Sequence, residues 1–478
     1  MSALGTELLL THGYLLGEDA HERKHMAPYP PLGILHLSTF LRAAGHRVAI
    51  HDSTFSTREA LWARLDAREA PVLGISANML TRGAVLDIIA RARAAGLRVV
   101  VGGPDPPNYP EAYLAAGADV VVFGEGEAAL AELLPILGRS AALDAPELDL
   151  AALAGVAGIA FLDADGKLQK SPARPALRDL DALGWPDREA IDLRAYLDCW
   201  RQHHGYSSLN IITARGCPYR CRWCSHSVFG FGHARRSPEN VADEVATLQR
   251  RYAPDQLWYA DDVFSISKPW LRAYAEAMEA RGLRIPFECI TRADRVDAEV
   301  VALLRRLACR RVWLGSESGS ARILDAMERG VSPAQIQAAA SALREAGIAL
   351  GFFVMWGYEG ETGADIAETV AHVRRCLPDR CLTTVAYPMY GTPYFDAVAD
   401  RVVAGRPWAE ASERDHRIRG RHSKAYYAAA SAWLQAELED GRRAAEGQGA
   451  WAAARIPARL RSRRARLQLR LRAGEREA

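Results

Sequence analysis

Apolar and polar positions alternate in short blocks through the first third of the chain. The segments Glu7–Leu10, Arg47–His51, Val72–Ser76, Leu97–Val101 and Asp119–Phe123 have the length and apolar content of strands. Between them, Leu32–Ala44, Ala84–Ala95 and Tyr109–Ala116 carry apolar residues at helical spacing, and the first two end in Gly45 and Gly96. Repeated strand–helix units over residues 1–165 predict an open parallel sheet with helices on both faces. Glycine-bearing turns, Gly102-Gly103 and Gly124-Glu125-Gly126-Glu127, fall at strand ends. Such sheets bind ligands at the carboxyl ends of their strands.

Residues 166–205 are richer in Pro, Asp and Arg and read as a linker. A second alternation follows over 206–396. Its strands are expected at Asn210–Thr213, Gln256–Ala260, Phe287–Ile290, Arg311–Leu314, Ala349–Phe353 and Thr383–Ala386. Six strand–helix units predict a partial (β/α)6 barrel, whose chemistry belongs on the loops after its strands. From 397 to 478 the pattern is helical. Lys424–Leu438 includes Tyr426, Tyr427 and Trp433, and Arg455–Arg476 is strongly basic. Ile456, Leu460, Leu467 and Leu471 can share one helical face. That segment is either a solvated or loosely docked tail or a basic amphipathic helix touching an anionic surface.

The composition fits this multi-domain picture. The chain has 478 residues, 49% apolar and 25% charged, with a net charge of +2. That is ordinary for a globular protein of two to four domains. The charge balance gives no reason to expect a nucleic-acid partner. No apolar run reaches the ~18 residues of a transmembrane helix. The amino terminus lacks a basic n-region, so a cytoplasmic location is expected.

The most specific chemistry lies in one run, Ala214-Arg-Gly-Cys-Pro-Tyr-Arg-Cys-Arg-Trp-Cys-Ser-His226. Cys217, Cys221 and Cys224 have the spacing C-x3-C-x2-C. Three thiolates on one loop can ligate three irons of a [4Fe–4S] cluster and leave the fourth iron open. A zinc site is the alternative, with His226 as a fourth ligand, but His226 lies too close for the usual paired spacing. The remaining cysteines are scattered and read as small buried residues. The motif and its setting resemble the radical S-adenosylmethionine (SAM) superfamily.

That resemblance implies cleavage of SAM at the open iron to a 5′-deoxyadenosyl radical, and it gives later segments their expected roles. Asp261 and Asp262, ending the second barrel strand, could accept from the SAM amino group or simply cap a helix. Arg292 could pair with the SAM carboxylate in a forked geometry. Glu317, in the small-residue run Gly315–Ser320, could hold the ribose or the amino group. An internal ion pair is the alternative for these two. Trp223 either shields the cofactors or packs in a core. His226 and Tyr387, near strand ends, are candidate proton or substrate contacts.

The first domain resembles the Rossmann-like cobalamin-binding domain of cobalamin-dependent radical SAM enzymes. The carrying segments are Pro28-Tyr-Pro-Pro-Leu-Gly33, Gly74–Asn78, Val101–Pro104 and Gly124–Glu127. The resemblance implies corrin contacts at Pro31, Leu32, Gly33, Ser76, Asn78, Gly102, Gly103, Gly124 and Glu125. The domain has no Asp-x-His-x-x-Gly, so no histidine is expected below cobalt. Residues 1–198 contain no cysteine, which argues against a second cluster as in methylthiotransferases. The alternative is an αβ domain that binds substrate or a partner. The phrases around Pro31, Cys224-Ser-His226 and Arg235–Asn240 are similar to the anaerobic magnesium-protoporphyrin IX monomethyl ester cyclase group. The implied function is methyl transfer through methylcobalamin to an unactivated carbon of a small molecule. The implied electron source is a low-potential donor of flavodoxin or ferredoxin type. The alternatives are oxidative cyclisation or oxygenation without methyl transfer and, more remotely, a non-enzymatic cobalamin or iron–sulfur sensor.

Overall fold

The structure, a computed structural model, describes residues 5–140, 147–449 and 452–478. The chain divides into two compact units. The first comprises residues up to Pro218 with His226–Trp258 and Arg406–Ser412. The second comprises Tyr219–Ser225, Tyr259–Gly405 and Glu413–Ala478. Segments 206–218 and 226–258, read from the sequence as the start of the barrel, thus cluster with the first unit.

The first sheet has seven strands: β1 (Leu8–His12), β2 (Val48–His51), β3 (Val72–Ser76), β4 (Arg98–Gly102), β5 (Val120–Val122), β6 (Ile159–Leu162) and β7 (Leu168–Lys170). Their order is β2-β1-β3-β4-β5-β6-β7. The first five are parallel, and β6 and β7 join antiparallel. The two-residue period sorts the side chains. Leu8, Leu10, Val100, Val120 and Val122 pack with Ile34, Leu35 and Leu130 on one face. Leu9, Val99, Val101 and Val121 pack with Ile88 and Ile89 on the other. Both faces are covered, which is why these strands read as unbroken apolar runs. Each such side chain contributes about 1.5–3 kcal/mol by burial. The register aligns His12, Ser76 and Gly102 in one row at the carboxyl end.

The expected linker, 166–205, carries regular structure. Strand β7 lies within it, and its hairpin with β6 turns through Asp165-Gly166, where Gly166 has φ +75°. The helix Leu193–His204 follows, started by the Asp192 carboxylate, which accepts from the Ala195 N–H at 3.2 Å.

The second sheet has six strands: β8 (Ser208–Ile211), β9 (Gln256–Tyr259), β10 (Phe287–Thr291), β11 (Cys309–Glu317), β12 (Ala349–Trp356) and β13 (Arg380–Val385). They follow one another in chain order, and β10 to β13 pair in parallel. Sequential strands with helices between them form the arc of a partial barrel. The intervening helices start where a side chain can take their first N–H groups. Ser267, Asp297, Ser332 and Thr362 each accept from the third helical residue.

The carboxyl-terminal region contains the helices Lys424–Ala445 and Ile456–Leu471, packed on each other. It is not wholly helical, because Val402–Val403 and Arg417–Ile418 form a short antiparallel pair. Nor is the basic segment loose: Ala458, Ser462, Ala465 and Leu469 are buried. Among the described residues no helix is long and apolar enough to cross a membrane.

Candidate active site

In the first unit a pocket opens at the carboxyl ends of β3, β4 and β5, with about 700 Å³ of space, part of it open to solvent. Its floor is apolar (Leu10, Val100, Val122) and its walls are rich in glycine (Gly33, Gly74, Gly102, Gly103, Gly124, Gly126). The glycines are there for two reasons. Gly103 has φ +99°, and a Cβ there would lie 2.5 Å from the Ala77 carbonyl, so only glycine lets the chain turn off β4. Gly33 has nothing within 4 Å of where its Cβ would stand. A side chain at that position would fill the pocket instead of the core. This shape suits a large flat ligand laid against backbone, and the residues present therefore fit a corrin. No histidine is among the lining residues.

Of the residues named from the sequence, Gly33, Ser76, Gly102, Gly103, Gly124 and Glu125 line this pocket. Pro31 and Leu32 instead begin the helix Leu32–Ala43, where the Pro31 carbonyl accepts from the Leu35 N–H. The Asn78 side chain accepts from the Leu80 and Thr81 N–H groups and fixes the turn after β3. Arg215, which the sequence reading passed over, joins the pocket wall. It donates to Glu125 at 2.7 Å and to Glu127 at 2.6 Å. Burial opposes its charge, yet the two carboxylates hold its guanidinium above the ordinary value.

In the second unit Cys221 is buried and Cys224 exposed. Cys217, half-buried, belongs to the first. None of the eight cysteines forms a disulfide. Among the described residues no three His, Cys, Asp or Glu side chains converge on a point suited to one metal ion.

Two guanidinium groups flank the Cys221 sulfur, Arg329 Nη1 at 3.6 Å and Arg292 Nη1 at 3.8 Å. Charge-assisted donors of this kind hold a cluster thiolate and tune its potential. Arg292 lies over the Tyr219 ring at 3.7 Å, and it donates to Asp294 and to the Arg329 carbonyl, both at 2.8 Å. Three of its five N–H donors are thus engaged within the protein. Arg329 donates to the Gly315 carbonyl, while its Nε is buried without a hydrogen-bond partner. The sequence reading missed Arg329, because no motif surrounds it.

Glu317 ends β11 beside these cations, its carboxylate 4.0 Å from Arg329 Nε. Burial raises its pKa, with Arg329 and Arg292 opposing. Its φ of +55° is strained for glutamate, and the pairing of β11 with β12 slips between Gly315 and Glu317. A Cβ on Gly315 would meet Arg329 Nη2 at 2.4 Å and Glu317 Oε1 at 2.7 Å. Glycine is therefore required for carboxylate and guanidinium to sit side by side. A buried carboxylate and a buried guanidinium N–H without a hydrogen-bond acceptor, both near Cys221, suit the amino and carboxylate groups of SAM.

The other named residues are more dispersed. Asp261 is buried at the end of β9 and Asp262 is exposed. Trp223 packs against a core that includes Met327, Met355 and Tyr394, so its packing role is realised. In the first unit, His226 Nδ1 lies 3.1 Å from the Gly230 carbonyl, and its Nε2 is buried without a partner. In the second unit, Tyr387 lines a separate pocket with Trp356, Arg414, Lys424 and Tyr427.

The family described as B12 binding domain matches residues 26–134, and the Radical SAM superfamily matches residues 211–373. A protein of Pyrococcus horikoshii described as an uncharacterized methyltransferase is 27% identical, over 85% of this chain and 86% of its own length. The anaerobic magnesium-protoporphyrin IX monomethyl ester cyclase of a Synechocystis strain is 27% identical, over 78% of this chain and 74% of its own. Among solved structures, the fold is similar to that of the radical SAM methyltransferase TsrM from Kitasatospora setae, with cobalamin and a [4Fe–4S] cluster bound. The TM-score is 0.68 at 19% identity, over 86% of this chain and 81% of that one.

Proposed function

Because this chain is a radical SAM enzyme that carries a B12-binding domain, we propose that it transfers a methyl group to an unactivated carbon of a small-molecule substrate. The observation that carries the proposal is the presence in one chain of a glycine-walled corrin pocket and a cluster cysteine flanked by Arg292, Arg329 and Glu317. When bound, the cluster and SAM supply a carbon radical that takes hydrogen from the substrate, and cobalamin supplies a transferable methyl group.

The residues of the chain bind and orient these groups. Cys217, Cys221 and Cys224 are the cluster ligands. Arg292 and Arg329 donate to the Cys221 sulfur, and Arg329 Nε is available to the SAM carboxylate. Glu317 accepts from the SAM amino group, with Asp261 as a further acceptor. Gly33, Gly102, Gly103 and Gly124 let the corrin approach the backbone, and Ser76 and Glu125 offer polar atoms at its edge. Tyr387 and His226 are candidate substrate contacts. A cytoplasmic flavodoxin or ferredoxin is the electron donor in this reading, matching an oxygen-sensitive cluster.

Cyclisation without methyl transfer is the second reading, favoured by the likeness to the cyclase of Synechocystis. The binding half of the proposal is tested by growing cells with cobalamin and measuring corrinoid and iron in the purified protein. Near-stoichiometric corrinoid with about four irons is expected, whereas iron without corrinoid overturns the cobalamin assignment.

A further inference from the structure

The terminal helix Ile456–Leu471 has two apolar stripes on opposite sides, at 3.6 residues per turn. Ala458, Ser462, Ala465 and Leu469 are buried and face the helix Lys424–Ala445. The opposite stripe, Ile456, Leu460, Leu467 and Leu471, is 44%, 58%, 57% and 74% exposed. Only nine large hydrophobic side chains are exposed among the described residues, and four of them stand on this one face. Chance scatter of surface leucines does not produce such a row.

The charges beside the stripe are of one sign. Residues 456–471 contain six arginines and no Asp or Glu, although the whole chain has a net charge of only +2. Arg461 pairs with Glu439, and Arg466 lies over Trp433 at 5.5 Å. Arg463 and Arg470 on one flank and Arg464 on the other are exposed, with no acidic partner among the described residues. The outward face is therefore a convex aliphatic ridge, about 24 Å long, bordered on both sides by uncompensated arginines.

We propose that this ridge docks the enzyme on an anionic lipid surface. The leucines enter the boundary between headgroups and acyl chains, and the flanking guanidinium groups reach up to lipid phosphates on either side. A second copy fits the ridge poorly. It would bring arginine rows together, and four side chains fall short of the roughly 800 Å² per partner of a stable dimer. The contact is peripheral and is set by charge together with the depth of the leucines.

The test is co-sedimentation of the full chain with phosphatidylcholine vesicles, with and without phosphatidylglycerol. Binding is expected to rise roughly tenfold or more with the anionic lipid and to fall as salt is raised. The variant Leu460→Asp/Leu467→Asp should reduce it to the level seen on neutral vesicles. Both positions are exposed, so iron content and thermal melting should stay unchanged. Arg463→Ala/Arg464→Ala/Arg470→Ala should abolish the preference for anionic lipid. Absence of binding to anionic vesicles, or binding that survives the leucine variant, overturns the proposal. A lipid-free dimer that the leucine variant dissociates overturns it in favour of a second copy. Binding to soluble polyglutamate as strong as to vesicles overturns it in favour of an acidic polypeptide.

Discussion

The Glu361 carboxyl lies in the turn just past the end of β12, where burial pushes its pKa up to about 8 against the opposing hydrogen bond from the Gly357 N–H. In an unfolded chain the same group titrates near its ordinary value of 4.5. Between those two values the folded state holds a proton that the unfolded state has lost. Stability therefore falls as pH rises through this window, by up to ~1.4 kcal/mol per pH unit. Glu361→Gln keeps an acceptor for Gly357 but removes the titration. Thermal melts should match wild type near pH 5 and show the variant more stable near pH 8. Glu317 carries a different expectation, because SAM is its proposed partner. Glu317→Gln should weaken SAM binding roughly tenfold in equilibrium dialysis, the value of one charge-assisted hydrogen bond, and leave iron content intact. The residue scale also shows what a sequence can and cannot reveal. Three cysteines at C-x3-C-x2-C carry their chemistry in their spacing. Glu317 was visible because it follows a strand among small residues. Arg329 was invisible, because its place beside Cys221 arises only when segments over a hundred positions apart fold together.

At the scale of elements, the strands were legible because both faces of the first sheet are buried and its valine runs are unbroken. Val72–Ser76 matches at both ends and no other end moved by more than three residues, as with β11, which runs on from the expected Leu314 to Glu317 and so carries the strained glutamate. The β6–β7 hairpin was overlooked although Asp165-Gly166 marks its turn, since the surrounding Pro, Asp and Arg dominated the composition. Helix starts offer a clean test of the corrin pocket. Gly33 lies in the first turn of Leu32–Ala43 with open space beside it. Gly33→Leu should keep or raise stability by ~0.5–1 kcal/mol through helix propensity, while corrinoid is lost and iron retained. Arg215 is the opposite case. Its side chain, only 10% exposed, pairs with both Glu125 and Glu127, so Arg215→Ala leaves two carboxylates without their cation and should cost about 3 kcal/mol in denaturant unfolding.

For the whole molecule, the order of a B12-binding domain ahead of a radical SAM domain was readable from the sequence, because each brings its own periodicity and motif. The division into compact units was not, because it depends on contacts such as those of Arg406–Ser412 with the first unit, which no local pattern announces. Arg82 shows how that return is held: its guanidinium binds Asp105 at 2.6 Å and the Ala411 carbonyl at 2.8 Å. The central claim concerns the reaction rather than the fold. Its most direct test is anaerobic: protein reconstituted with iron, sulfide and cobalamin is given SAM and a low-potential reductant, and the SAM-derived products are followed by mass spectrometry. Methyl transfer predicts S-adenosylhomocysteine together with 5′-deoxyadenosine, both lost in the Cys217→Ala/Cys221→Ala/Cys224→Ala variant. Formation of 5′-deoxyadenosine alone, with corrinoid bound, would contradict methyl transfer and leave cyclisation as the reaction.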